Sequence, residues 1–120
     1  MPEFPTRRIE SIDGSGYLEA NFGADERVHF RVSSGHPALP PAEFSSLPDR
    51  LLFLANGSTP RFDAPMMGGH CVFELAGAQV QLRCKTHRWP TERSLIFDRV
   101  AVMQLASALM EDIDEQGATT

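Results

Sequence analysis

Residues 70–85, "HCVFELAGAQVQLRCK", constrain the fold of this chain more than any other stretch. Apolar and polar residues alternate on both sides of Gly77-Ala78, a two-residue loop whose leading glycine suits a type II′ turn. A turn centred there sets Leu75 opposite Val80, Phe73 opposite Leu82 and Cys71 opposite Cys84, all on one side. The other side carries His70, Val72, Glu74 and Ala76 against Lys85, Arg83, Gln81 and Gln79. A slip of one residue would send every apolar side chain to the wrong face, so the register is strongly specified. This is a hairpin of an antiparallel sheet with one face on a core.

The same period of two appears earlier. In "YLEANF", Leu18, Ala20 and Phe22 alternate with Glu19 and Asn21; in "RVHFRVS", Val28, Phe30 and Val32 alternate with Arg27, His29 and Arg31. "GADE" joins them as the first hairpin in chain order, "RRIESI" is a candidate first strand, and "SLIF" a last short one. Residues 34–48 carry four of the nine prolines. Proline lacks an N–H, so a long loop with one helical turn is expected there, not an inner strand. "STPRFDAPMMGG" reads as a second irregular stretch. Between them, "DRLLFLANG" predicts a short helix, with Pro48 at its first turn and Gly57 just past its end. After Asp98, a good N-cap, Val102, Leu105, Ala106, Leu109 and Ile113 fall on one helical face, and Gly117 is the expected stop. No internal repeat is visible. The expected fold is α+β: one domain over residues 1–120, an antiparallel sheet of about five strands on a C-terminal helix, a short middle helix, and a disordered tail at 115–120.

The residues of the second hairpin also raise a chemical question, because the run from His70 to His87 contains two cysteines and two histidines. Cys71 and Cys84 would occupy a non-hydrogen-bonded pair with Cα atoms about 4.5 Å apart, at the short end of disulfide geometry. His70 leaves the strand on the opposite face from Cys71, so the two cannot share an ion, and no C-x₂₋₄-C knuckle is present. Two reduced core thiols are expected, with no metal and no cofactor. Phosphate-loop, dinucleotide, zinc-protease and serine-hydrolase motifs are all missing.

The remaining candidates lie on the surface. "RCKTHRWPTER" is the most basic segment, and Lys85 is the only lysine in the chain. Arg83, Lys85, His87, Arg88 and Trp89 are the expected partner-binding residues, with Trp89 as an exposed anchor. "EDIDE" places Glu111, Asp112, Asp114 and Glu115 at a helix C-terminus, which the helix dipole disfavours, so fraying is expected. His29 reads as solvated between Arg27 and Arg31, and His36 lies in the proline-rich loop. With a net charge of −5, nucleic acid is an unlikely partner on this reading, as is an anionic membrane. No apolar run reaches spanning length, and no secretory leader is seen, so the expected setting is cytoplasmic. The functional reading from sequence is a small non-enzymatic, prokaryotic-type interaction protein, such as an inhibitor, immunity-type or adaptor protein. Its partner would be another protein, one with a basic surface being a good match. The rival is a small enzyme or ligand binder using residues 66–70 with His70 and His87.

Overall fold

A computed structural model describes residues 5–34 and 39–118. His36 lies outside them. The chain forms β1 (Arg7–Glu10), β2 (Tyr17–Phe22), β3 (Val28–Ser33), β4 (Ala42–Glu43) and α1 (Leu47–Ala55). It then forms β5 (Arg61–Met66), β6 (Gly69–Ala76), β7 (Gln79–Thr86), β8 (Arg93–Asp98) and α2 (Arg99–Ala118). The class is α+β, as expected. The strands are divided, however, into two antiparallel sheets of four, ordered β1-β2-β3-β4 and β5-β6-β7-β8. A four-strand meander followed by a helix therefore occurs twice.

The repeat holds at the level of register. Glu19 faces Arg31 across β2 and β3, and Val72 faces Arg83 across β6 and β7. Leu18, Ala20 and Phe22 correspond to Cys71, Phe73 and Leu75, which all point to the core except the half-buried Leu75. Gly16 and Gly69 also correspond. A Cβ at Gly16 would strike the Ser33 carbonyl oxygen, and one at Gly69 the Lys85 carbonyl oxygen, so each hairpin opens on a residue without a side chain.

The second hairpin has the predicted register throughout, from Ala76 opposite Gln79 to Cys71 opposite Cys84. Gly77 has φ +62 while Ala78 is not left-handed, which is the type II′ pattern. Both cysteines are buried free thiols. The neighbouring Cys84 and then burial push the Cys71 thiol far up, so it is no nucleophile at neutral pH. Among the described residues no cluster of three His, Cys, Asp or Glu is placed to hold a metal.

Two expectations fail in the connecting segments. The stretch 61–66 is a strand, not a loop, with Phe62, Ala64 and Met66 buried in alternation. Pro65 is tolerated because β5 is an edge strand of its sheet, where a missing N–H breaks no inner ladder. Within the proline-rich segment, Ala42 and Glu43 pair with Phe30 and His29 as the short edge strand β4. The middle helix forms as predicted, and Gly57, at φ +87, follows its end. Its last carbonyl, Ala55 O, accepts a bond from Arg99 Nε at 2.6 Å. Helix α2 buries Val102, Leu105, Ala106 and Leu109 and continues past Gly117 to Ala118. The acidic end of α2 is not frayed: Asp112 is 2% exposed and paired with Arg7 on β1.

Both helices lie against each other on one side of the sheets. Helix α1 rests on β5 and β6, and α2 on β1, β2, β7 and β8. One continuous core results, containing residues of every strand but β1. The sheets also meet at their edges, where β4 lies beside β5 and Ile12 N donates to Ile96 O at 2.8 Å. Among the described residues this leaves the second face of each sheet uncovered. No helix among the described residues is long and apolar enough to cross a membrane.

Candidate functional site

The uncovered face of the second sheet is built by alternation. Successive side chains of β7 point to opposite sides, so Gln79, Gln81, Arg83 and Lys85 form one row while Val80, Leu82 and Cys84 enter the core. Arg83 and Lys85 are therefore about 6.6 Å apart along the strand. Lys85 is paired across the ladder with His70 of β6. Beyond Thr86 the chain turns: Thr86 Oγ1 accepts from Arg88 N at 3.2 Å and Trp89 N at 3.0 Å. This turn leaves His87 and Arg88 exposed beside the end of β7. Gly68, His70, Lys85, Thr86, His87 and Pro90 line a shallow groove of about 440 Å³ there. Thus four of the five predicted site residues, Arg83, Lys85, His87 and Arg88, come together at one end of one face, and His70 joins them.

Trp89 does not. It is 1% exposed, packed in the core, with the Arg93 guanidinium 4.9 Å from its ring centre. The expectation of an exposed aromatic anchor is corrected. The chain reverses within three residues of the strand end, which drives the largest apolar side chain inward and the flanking His87 and Arg88 outward.

The electrostatics of the two faces differ. On the first sheet, Arg8 Nη2 and Nε donate to one oxygen of Glu19 at 2.8 and 3.1 Å, and Arg31 Nε lies 3.7 Å from the other. The Glu19 bond raises the Arg8 pKa further. Arg27 pairs with Glu43 at 3.2 Å and His29 with Asp25 at 2.9 Å; His29 in turn holds the Asp25 carboxyl below its usual range. On the second sheet, Arg83 has only a loose pair, 3.7 Å to Glu74. Among the described residues no ion pair reaches Lys85 or Arg88. The two corresponding arginines share one more property. The Nε atoms of Arg31 and Arg83 are buried and have no hydrogen-bond acceptor among the described residues. A buried donor without an acceptor costs about 1–3 kcal/mol, so both sites favour an incoming oxygen acceptor.

The acidic balance of the whole chain hides this. Helix α2 carries Glu111, Asp112, Asp114 and Glu115 against Arg99 alone, a net −3 of the total −5, on the side away from the open faces.

No protein-family model matches this chain, and no curated protein does. Solved structures share its fold. The MRP1/MRP2 structure from Trypanosoma brucei matches over 95% of this chain and 86% of that chain, with a TM-score of 0.65 at 16% identity. A guide-RNA-binding protein complex, solved bound to a guide RNA, matches over 95% of this chain and 92% of that chain, with a TM-score of 0.65 at 13% identity. These likenesses establish the fold. They also overturn the functional reading from sequence. The inhibitor, immunity-type or adaptor assignment gives way, and nothing supports the prokaryotic label attached to it. The view of nucleic acid as an unlikely partner gives way too. Net charge sums over surfaces that face different ways, so it does not describe any one face.

Proposed function

We propose that this chain is a nucleic-acid-binding module that holds single-stranded RNA on the open face of its second sheet. One observation carries the reading: Arg83 and Lys85 lie in a row on β7, His70, His87 and Arg88 flank its end, and Lys85 and Arg88 have no ion pair among the described residues. A row of cations about 6.6 Å apart suits successive phosphates, and backbone contact supplies most sequence-independent affinity. The fold supports it, since a similar structure is a guide-RNA-binding complex bound to its RNA. A single strand is favoured over a duplex. An RNA duplex is held by contacts spread over about 16 base pairs, across two successive minor grooves, whereas the cations here are gathered at one end of one sheet face. Among the described residues the open face of the second sheet carries no Phe, Tyr or Trp, and its cations meet the phosphate backbone, so binding there is expected to tolerate any sequence.

The test is anisotropy titration of the full chain with labelled single-stranded RNA and a duplex at low salt. Saturable binding of the single strand, weakened at least tenfold by the double substitution Arg83→Ala/Lys85→Ala without loss of melting temperature, supports the reading. No saturable binding at about 50 mM salt, or equal binding by the double variant, overturns it.

A further inference from the structure

The two halves are copies in register but not in chemistry. The place held by Val72 opposite Arg83 in the second half is held by Glu19 opposite Arg31 in the first. That single carboxylate, only 14% exposed, takes two hydrogen bonds from Arg8 and lies 3.7 Å from Arg31 Nε. It has a second effect. Arg8, fixed by two bonds to Glu19, lays its guanidinium 3.9 Å from the centre of the Tyr17 ring. Tyr17 is the one tyrosine in the chain and the aromatic ring on the outward row of β2. Next to Glu19, a hollow of about 160 Å³ is lined by Asn21, His29 and Arg31.

We propose that the first sheet holds a second RNA subsite, closed by Glu19. This rests on the reading of the chain as an RNA-binding module. A phosphodiester takes the place of the Glu19 carboxylate between Arg8 and Arg31, giving the unsatisfied Arg31 Nε a nearby acceptor. Arg8 then swings off the Tyr17 ring, and the adjoining base stacks on it. Tyr17 and Asn21 are four residues apart on β2, about 13 Å, so the next nucleotide reaches the polar hollow. The occupant is single-stranded, because a paired base cannot offer its face to a ring. Glu19 repels phosphate until the second sheet has captured the strand and raised its local concentration. The first face therefore adds stacking only to a strand already held.

Full-length Glu19→Gln is the direct probe, with Asp49→Asn on the exposed start of α1 as a control for one unit of charge. Both are titrated with the same single-stranded RNA, and Tyr17→Ala and Tyr17→Phe are made in wild-type and Glu19→Gln backgrounds. The expected result is about fivefold or more tighter binding by Glu19→Gln than by Asp49→Asn. Tyr17→Ala should abolish that gain and Tyr17→Phe keep it, since stacking needs the ring and not the hydroxyl. Equal affinities for Glu19→Gln and Asp49→Asn, or a Tyr17→Ala variant as tight as its parent, overturns the subsite. If Glu19→Gln loses its melting transition, the wild-type pair decides: Tyr17→Ala weaker than Tyr17→Phe supports the subsite, and equality removes it. A wild-type chain that binds no RNA removes the proposed function itself. One that binds RNA but ignores these substitutions removes only the second subsite.

Discussion

Arg7 and Asp112 form a two-pronged ion pair, Nη2 to Oδ1 at 2.7 Å and Nε to Oδ2 at 3.1 Å, that ties the first strand to the last helix. The two partners are unequal. Asp112 has a side chain 3% exposed, while that of Arg7 is 35% exposed. Removing the arginine strands a buried carboxylate, whereas removing the carboxylate leaves a cation that can turn to water. Arg7→Ala should cost about 3–5 kcal/mol, as expected when a buried charge loses its partner. Asp112→Ala should cost clearly less. Urea unfolding of the two variants checks this, and equal losses would contradict it.

Trp89 and Arg88 are neighbours with opposite roles. Trp89→Ala empties a large core site and should destabilise by about 3–5 kcal/mol. Arg88→Ala should leave the melting temperature within a degree or two, because its side chain is exposed. Made separately and compared by melting, they divide core from surface within one loop. A stable Trp89→Ala variant would contradict its burial.

Binding through Arg83, Lys85 and Arg88 fixes a salt dependence. Three phosphates neutralised on a single strand give a slope of log K against log salt near −2, at about −0.7 per contact. Lys85→Ala should make the slope shallower by roughly 0.7 and weaken binding to every sequence alike. Titrations at four or more salt concentrations measure it. A slope unchanged in that variant would show that Lys85 meets no phosphate.

Asp13 gives a pH dependence at the turn between β1 and β2. It accepts from Ser15 Oγ at 2.7 Å, Ser15 N at 3.0 Å and Ser11 Oγ at 2.9 Å. The bonds from Ser15 and then Ser11 hold its carboxyl below the usual range. With the folded value depressed, its contribution is complete above the unfolded value of about 3.9 and is lost as pH falls through the folded one. The wild-type chain should melt higher than Asp13→Asn near neutral pH, with the gap closing as the pH falls below about 4. A gap that stays constant through that fall would refute the assignment.

Local pattern was enough for the elements whose register is carried by their own residues. The hairpin from β6 to β7 and the apolar stripe of α2 were legible because burial imposes a period of two on strands and 3.6 on helices. The middle helix was legible from Pro48 and Gly57. The repeat was not, because its halves differ in loop length. Six residues, 11–16, join β1 to β2, but only Met67 and Gly68 join β5 to β6. Strand β5 was hidden by Pro65, whose cost depends on whether a neighbour needs its N–H, and that is a property of the sheet.

For the candidate site, sequence alone identified the basic run 83–88 and the side of β7 on which Arg83 and Lys85 stand. Tertiary structure decided the rest. It buried Trp89, moved the acidic end of α2 to the far side from the open faces, and set Glu19 between Arg8 and Arg31. Alternation along a strand follows from covalent geometry and can be read from one segment. Which charges meet across three strands, and which way a loop folds back, depend on contacts between residues far apart in the chain, and only the assembled core sets those distances.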